Sequence, residues 1–477
     1  MTTTTPKPFL LGGKWITSST HEPVVDPYSG KILAQVCQAD PHHIQAAIES
    51  VQGVAPQLAS TPTHVRAAAL ARIAEGIQTR REEFARTLSQ EAGKPITDAR
   101  REIDRGIHTF HIAAEESKRI PGEVLTMDLS PGNEPYSGIV KRFPIGPVLG
   151  ITPFNFPLNL VAHKVAPCLA AGNPIVLKPA PQTPLTSLLL GEVFLTTDFP
   201  PEALTILPCS NTLAEQLVEH DTFQALSFTG SVTVGWMLKA KARHKRVLLE
   251  LGGNAGVIVE PDADLDLAAS RCVAGGFGYS GQTCISVQRV FVHESRYAPF
   301  LTDFVKKVEA LASGDPAQEH TVVGPLINDQ AAMRVETWIQ EALANGATLR
   351  TGGKRQGRLV EPTVLTDVSQ NMKVCCEEIF GPVVTVTPYR NFDEALDLLN
   401  QSEFGLQAGI FTNNIDLIFR AYARLEVGAV LANEIPTFRA DHMPYGGIKN
   451  SGLGREGVKY TIQELTEPKM LILKTSS

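Results

Sequence analysis

Four stretches of this 477-residue chain hold residue types that can do chemistry together. In GGFGYSGQTCISVQR, residues 275–289, Cys284 sits in a loop rich in small residues just ahead of a β-prone run. Small neighbours leave backbone N–H groups accessible, so a thiolate there can attack a carbonyl carbon while its own amide holds the developing oxyanion. In VLLELGG, residues 247–253, Glu250 closes an otherwise apolar strand. Buried carboxylates are uncommon. This one reads either as a capping or salt-bridged residue at a domain junction, or as a general base whose pKa burial raises. In QALSFTGSVTVGWM, residues 224–237, a strand ends at Phe228 and a helix begins near Val232, with Gly230 and Gly235 bracketing the turn. Glycine lets the backbone approach an anion and a helix N-terminus attracts one, so the turn suits a pyrophosphate, although glycine pairs also serve purely structural ends in such turns. In IVLKPAPQTP, residues 175–184, Lys178 ends a strand on the same sheet edge, either as a solvated charge or within reach of a ribose or 2′-phosphate.

The remaining cysteines offer less. Seven in all, irregularly spaced among apolar neighbours, they suit reduced thiols rather than a disulfide framework. Cys272 has the setting of a core residue inside a helix, and vicinal Cys375 and Cys376 read as packed inside. No His or Cys spacing suggests a metal site.

Particular elements must position these groups. From His43 to about Glu116 apolar residues recur three and four apart, which predicts helices. The stretch from Ile120 to Pro144 carries short β-prone runs around Ser-Pro-Gly-Asn and reads as an extended hairpin. From Pro147 to Glu250 short apolar strands alternate with helices, the rhythm of βαβ units and a parallel sheet. The default ligand of such a sheet is a nucleotide at the carboxyl ends of its strands. After Gly252-Gly253 the alternation restarts and runs to about Asn433, a second α/β domain. The tail MLILKT is an apolar strand expected to pair with the hairpin of its own or a neighbouring subunit.

Composition agrees with a compact protein of two or three domains: 43% hydrophobic, 19% charged, net charge −7. With no basic stripe, nucleic-acid binding has no source of counterion-release affinity, and a small-molecule partner is expected. No apolar run approaches the ~20 residues that span a bilayer, so no membrane partner is expected. The opening MTTTTPKPFLLGGKW has no basic segment leading into an apolar one, so the expected location is cytoplasmic. The threonine run at residues 2 to 5 is the one low-complexity segment.

Taken together, the chain resembles the aldehyde dehydrogenase superfamily over nearly its whole length. The likeness rests on seven blocks in the family's order: TPFNFP at 152–157, KPAPQTP at 178–184, FTGS at 228–231, LELGG at 249–253, GQTC at 281–284, EEIFGPV at 377–383 and PYGGIKNSGLGREG at 444–457. It implies two Rossmann-type parallel-sheet domains plus a β-hairpin oligomerisation arm. The cofactor domain would take residues 1–119 and 141–250, the catalytic domain 251–440, and the arm with its C-terminal strand 120–140 and 458–477. A homodimer or homotetramer is the implied assembly. By motif, Cys284 is implied as nucleophile, Glu250 as base and Asn155 as side-chain oxyanion donor. Glu378 and Phe380 would position the nicotinamide ribose and ring, and Thr152, Pro153, Phe154, Lys178, Pro181, Gly230, Ser231 and Leu251 fall at other cofactor positions.

The implied reaction is oxidation of an aldehyde to a carboxylic acid with NAD or NADP. A thiohemiacetal on Cys284 becomes a thioester, which water activated by Glu250 hydrolyses. Two departures bear on specificity. Many NAD-preferring members carry a glutamate where this chain has Pro181, so NADP should be tolerated or preferred. The segment ANEIPTFRADHMPYGG borders the aldehyde tunnel in the family. Arg439 there either pairs with Asp441 at the surface or binds an anionic or hydroxyl group of a short polar aldehyde, with His111 assisting and His442 and Tyr445 nearby. The motif wording is closest to members acting on lactaldehyde or glyceraldehyde and its phosphate. Alternatives are a CoA-acylating dehydrogenase, which Glu250 argues against, and a non-catalytic binding protein on the same fold.

Overall fold

The computed structural model describes residues 5–475, so the threonine run lies, apart from Thr5, outside the described residues. Four helices follow a short strand-rich start: α1 (Pro41–Ser60), α2 (Thr63–Thr79), α3 (Arg81–Ala92) and α4 (Ile96–Ser117). Asp40 starts α1 by a reciprocal capping box with His43. In α4 the buried Ala99, Ile103, Phe110 and Ala113 recur at helical spacing, which commits that face to the core.

The first sheet has eight strands. Its centre is five parallel strands, running in space Leu204–Ile206, Ile175–Lys178, Val148–Ile151, Ala225–Thr229 and Arg246–Glu250. Chain order reverses between Val148–Ile151 and Ala225–Thr229, which makes a crevice at the carboxyl ends of those two strands, the place where doubly wound sheets bind ligands. Their uninterrupted burial explains the apolar runs of the sequence. Gly452–Leu453 joins as an antiparallel edge beside Arg246–Glu250, a strand too short to stand out by periodicity. The second sheet has seven strands, six of them parallel around Ala255–Val259, with Thr348–Thr351 antiparallel at one edge.

The tail strand Thr466–Lys474 pairs along its whole length with Tyr136–Pro144 of the same chain, which pairs in turn with Glu123–Leu125. Leu471, Ile472 and Leu473 are exposed on it. Among the described residues no helix is long and apolar enough to cross a membrane.

A buried ion pair ties the helical layer to the first sheet. Glu102 of α4 accepts from the N–H groups of Leu158 (3.0 Å) and Asn159 (3.1 Å), at the start of α5 (Asn159–Ala171), and pairs with Lys94. The Lys94 ammonium lies 3.7 Å from the Phe156 ring centroid and 4.4 Å from that of Tyr279. Both charges are buried, so removing one strands the other together with two helix N–H groups. Glu102→Ala should therefore cost about 3–5 kcal/mol of stability, read as an earlier urea-unfolding midpoint.

Candidate active site

Cys284 follows a tight turn, Gly278–Gly281, in which Tyr279 and Ser280 take φ of 49° and 57°. Such left-handed backbone is costly outside glycine, and here it is held by neighbours: the Ser280 hydroxyl donates to the Gly324 carbonyl at 2.7 Å, and Gln282 bonds both Pro325 and Ile327. On the other side, a Cβ at Gly253 would lie 2.1 Å from the Cys284 carbonyl oxygen. Glycine at 253 is thus what lets the strand bearing Glu250 continue against the cysteine loop.

Two groups meet at the thiol, and a third is held beside its loop. Cys284 Sγ is 3.8 Å from Glu250 Oε1 and 3.2 Å from the Tyr445 hydroxyl. Asn155 Nδ2 donates to the Gln282 carbonyl at 3.1 Å, which fixes its amide beside the cysteine loop. An amide carries two N–H hydrogens, so one remains for another acceptor.

Behind Glu250 lies a buried charge network. Arg439 reaches Glu250 Oε1 at 3.4 Å and Glu456 Oε2 at 3.1 Å, and its guanidinium stacks 3.7 Å from the Tyr445 ring centroid. Lys164 of α5 donates to Glu456 (3.0 Å), Ser227 (3.0 Å) and Thr229 (2.8 Å), and Thr229 donates to Glu250 at 3.2 Å. Burial, and then the negative charge of Glu456, push the Glu250 carboxyl well above the usual range. Burial acts on Glu456 as well, but Lys164 and Arg439 outweigh it and hold that carboxyl low. Burial, and then the charge of Glu250, raise the Cys284 thiol, which therefore rests protonated.

Two connected spaces lead to the thiol. A cavity of about 380 Å³ is lined by Lys94, Arg101, Arg105, Arg271, Phe438 and Arg439 among others. It shares Arg105, Phe156, Thr283, Thr437 and Arg439 with a pocket of about 50 Å³ at Cys284 and Glu250. A third cavity, about 420 Å³, lies at the switch point of the first sheet and brings together Thr152, Pro153, Lys178, Pro181, Gly230 and Ser231. Helix α8 (Val232–Lys241) begins there, and Ser231 makes no side-chain cap, so the helix N–H groups are left for a ligand. Lys178 is buried, has its pKa lowered by that burial, and bonds only the neutral Asn211 at 3.3 Å. A buried cation beside free helix N–H groups fits a dinucleotide's phosphates and ribose.

The other residues expected at the cofactor lie outside this cavity. Leu251 is buried under α8, where a Cβ at Gly235 would meet it at 2.3 Å, so it sets how closely helix and strand pack. Phe154 and Phe380 pack edge to face with centroids 5.9 Å apart. Glu378 accepts from the Gly253 N–H at 2.9 Å, and burial lifts its carboxyl to about 7.

Three expectations near the substrate change. His111 is exposed and lines none of the cavities described; six residues from Arg105, it falls on a different face of α4. His442 is exposed as well. Arg439 is buried and pairs with Glu250 and Glu456, not with Asp441, which bonds Arg105 at 2.8 Å and His163 at 3.0 Å. Sequence reasoning missed Arg105, Lys164, Glu456 and Asn211. Arg101 and Arg105 stand one helical turn apart, and Lys164 lies in an otherwise apolar helix; both were readable signals. All seven cysteines are unbridged, and among the described residues no cluster of metal-ligating side chains occurs.

The chain is similar to known proteins over nearly its whole length. The profile of the Aldehyde dehydrogenase family matches residues 15–471. The 3-sulfolactaldehyde dehydrogenase of Priestia aryabhattai is 40% identical over 464 residues, 97% of each chain. Aldehyde dehydrogenase 21 from Physcomitrella patens, solved with its reaction product succinate, superposes with a TM-score of 0.97 at 45% identity over 99% of each chain. The glyceraldehyde-3-phosphate dehydrogenase GapN of Methanocaldococcus jannaschii, solved with NADP, gives a TM-score of 0.92 at 36% identity, over 96% of this chain and all of its own.

Proposed function

The chain belongs to the aldehyde dehydrogenase family and is an NAD(P)-dependent oxidoreductase acting on aldehydes, and from that premise we propose that it converts a short anionic aldehyde to its carboxylic acid. The observation that carries this reading is the ring of Arg101, Arg105, Arg271 and Arg439 around the cavity leading to Cys284. Guanidinium groups recognise carboxylate, phosphate and sulfonate through paired N–H donors, and the N–H groups that Asp98, Asp441, Glu434, Glu250 and Glu456 do not engage are left for a substrate anion. The relatives named for sulfolactaldehyde and glyceraldehyde 3-phosphate, and the one holding succinate, support the same class.

Cys284 is the nucleophile in this reading. Its sulfur bonds the aldehyde carbon as the thiol proton passes to solvent water, the C=O π pair moves onto oxygen, and that oxyanion takes the free N–H of Asn155 together with the Cys284 amide. NAD(P), when bound, supplies the hydride acceptor that turns the Cys284 thiohemiacetal into a thioester. Glu250 then removes a proton from water as it attacks the thioester carbon; the C–S bond breaks, the acid departs and the Cys284 thiolate is restored. The Thr229 hydroxyl, itself held by Lys164, donates to the Glu250 carboxylate and fixes it for this step. A base this close to the thiol speaks for water rather than CoA as acyl acceptor.

An absorbance assay of cofactor reduction tests the substrate class. Aldehydes of equal length ending in carboxylate, phosphate, sulfonate or a neutral amide are compared, and a lower KM for the anions is expected. Equal KM values would sink the reading.

The same cavities bear on cofactor choice. Pro181 neither repels a 2′-phosphate nor accepts from a ribose, and Lys178 lies in the same cavity, so NADP is the favoured cofactor. Pro181→Glu places a like charge near the 2′-phosphate and should move the NADP/NAD ratio of kcat/KM toward NAD by about tenfold or more. For assembly, the exposed Leu471, Ile472 and Leu473 of the tail strand support a homodimer or homotetramer, which light scattering after size exclusion would read.

A further inference from the structure

Arg439 borders both the arginine-lined cavity and the pocket at Cys284. Its side chain is 5% exposed, yet among the described residues its Nε has no hydrogen-bond partner. The guanidinium carries five donors, and here it makes two hydrogen bonds, at 3.4 Å to Glu250 and 3.1 Å to Glu456. A buried donor left unsatisfied is costly, and a guanidinium that turned to meet an anion in the cavity would be relieved of that cost.

The groups around Glu250 differ in what they lose if Arg439 turns away. Glu456 keeps Lys164 at 3.0 Å, and Asp441, one layer out, keeps Arg105 and His163. Glu250 keeps the Thr229 hydroxyl, faces Cys284 and, beyond it, Tyr445, and still feels Glu456 and the cation Lys164, which reaches it only through Thr229. Arg439 is therefore the cation in direct contact with Glu250, and the one that an anion in the cavity can remove.

We propose that Arg439 is a positioning residue that couples the anionic end of the substrate to the general base: without an anion it holds Glu250 and Glu456, and an anionic aldehyde draws it off and frees Glu250. This rests on the anionic-aldehyde reading and on Glu250 as base. A guanidinium against a carboxylate favours the ionised form and weakens it as a base, so withdrawal raises its proton affinity. At pH above the base limb, substrates lacking the anion would be turned over by a restrained base, which there adds discrimination in kcat to discrimination in KM.

The test compares pH profiles of kcat for a four-carbon aldehyde ending in carboxylate and its amide, in the wild type and in Arg439→Gln. In the wild type the base limb should lie about half a pH unit or more higher with the carboxylate. In Arg439→Gln the two limbs should coincide, at a higher pH than the wild-type limb for the amide. Coincident wild-type limbs with a lower KM for the carboxylate would overturn the coupling and leave the anion site standing. Equal wild-type KM values would overturn the substrate reading and the coupling with it. Limbs that stay apart in Arg439→Gln would remove Arg439 as the link. Should that variant fail to fold, the wild-type comparison decides alone.

Discussion

Serine in place of Cys284 should lower turnover on the order of 10⁴-fold or more, with cofactor affinity unchanged. A hydroxyl is a far weaker nucleophile than a thiol unless a base takes its proton, and this site lacks the imidazole that activates serine in hydrolases. The nearest histidine along the network, His163, faces Asp441 at 3.0 Å, and the groups at the thiol itself are Glu250 and Tyr445. The thiol begins protonated, because burial and the charge of Glu250 raise it. Attack therefore couples proton loss to bond formation, a step within reach of sulfur and not of an ordinary alcohol. Cys284 lies outside the switch-point cavity, so fluorescence titration with NADP should give matching dissociation constants for the two proteins. As a control, Cys272→Ser alters a helix-borne cysteine buried in the second core and should leave kcat intact. Wild-type turnover by Cys284→Ser would move the nucleophile elsewhere.

Much of this site could be read from residue order because its parts lie at strand ends. Glu250 and Lys178 each end an apolar run with a residue that sheet packing alone does not ask for, and Cys284 and Gly230 lie in small-residue turns next to a strand. The parallel sheets were legible for the same reason: strands buried on both faces leave uninterrupted apolar segments between helices. What stayed hidden is contact between segments far apart in the chain. Arg439 reads from sequence as a neighbour of Asp441, two residues on, yet its partner Glu250 is 189 residues away. Asp441 in turn bonds Arg105, 336 residues away. Local pattern carries periodicity but no information on which charges a tertiary fold brings face to face. The error at His111 has a different origin: the correct helix was chosen, but the face toward the cavity is that of Asp98, Arg101, Glu102 and Arg105.

Replacing Glu250 by glutamine separates the two halves of the reaction. The amide keeps the size of the side chain and an oxygen for the Thr229 hydroxyl, and Arg439 retains Glu456, so the fold should survive. What is lost is the proton acceptor for water, worth about 10²–10⁴-fold in a general-base step. The variant should therefore give a burst of one equivalent of reduced cofactor per active site and then a steady rate reduced by that factor. The acyl group would be trapped on Cys284 and visible as a mass shift of the intact protein. The pH profile supplies a second readout. Burial and Glu456 hold the Glu250 carboxyl above the ordinary range, so in the wild type a fraction is still protonated near neutrality. Hydrolysis should then speed up as pH rises through that raised pKa, and Glu250→Gln should erase the limb. If Glu250 acted instead on the Cys284 proton, from its place 3.8 Å away, the burst would vanish along with turnover. An intact burst with normal steady turnover would assign the water-activating step to another group. Adding CoA to the stalled variant is a further discriminant, since release of acyl-CoA at wild-type rates would favour the acylating route over hydrolysis.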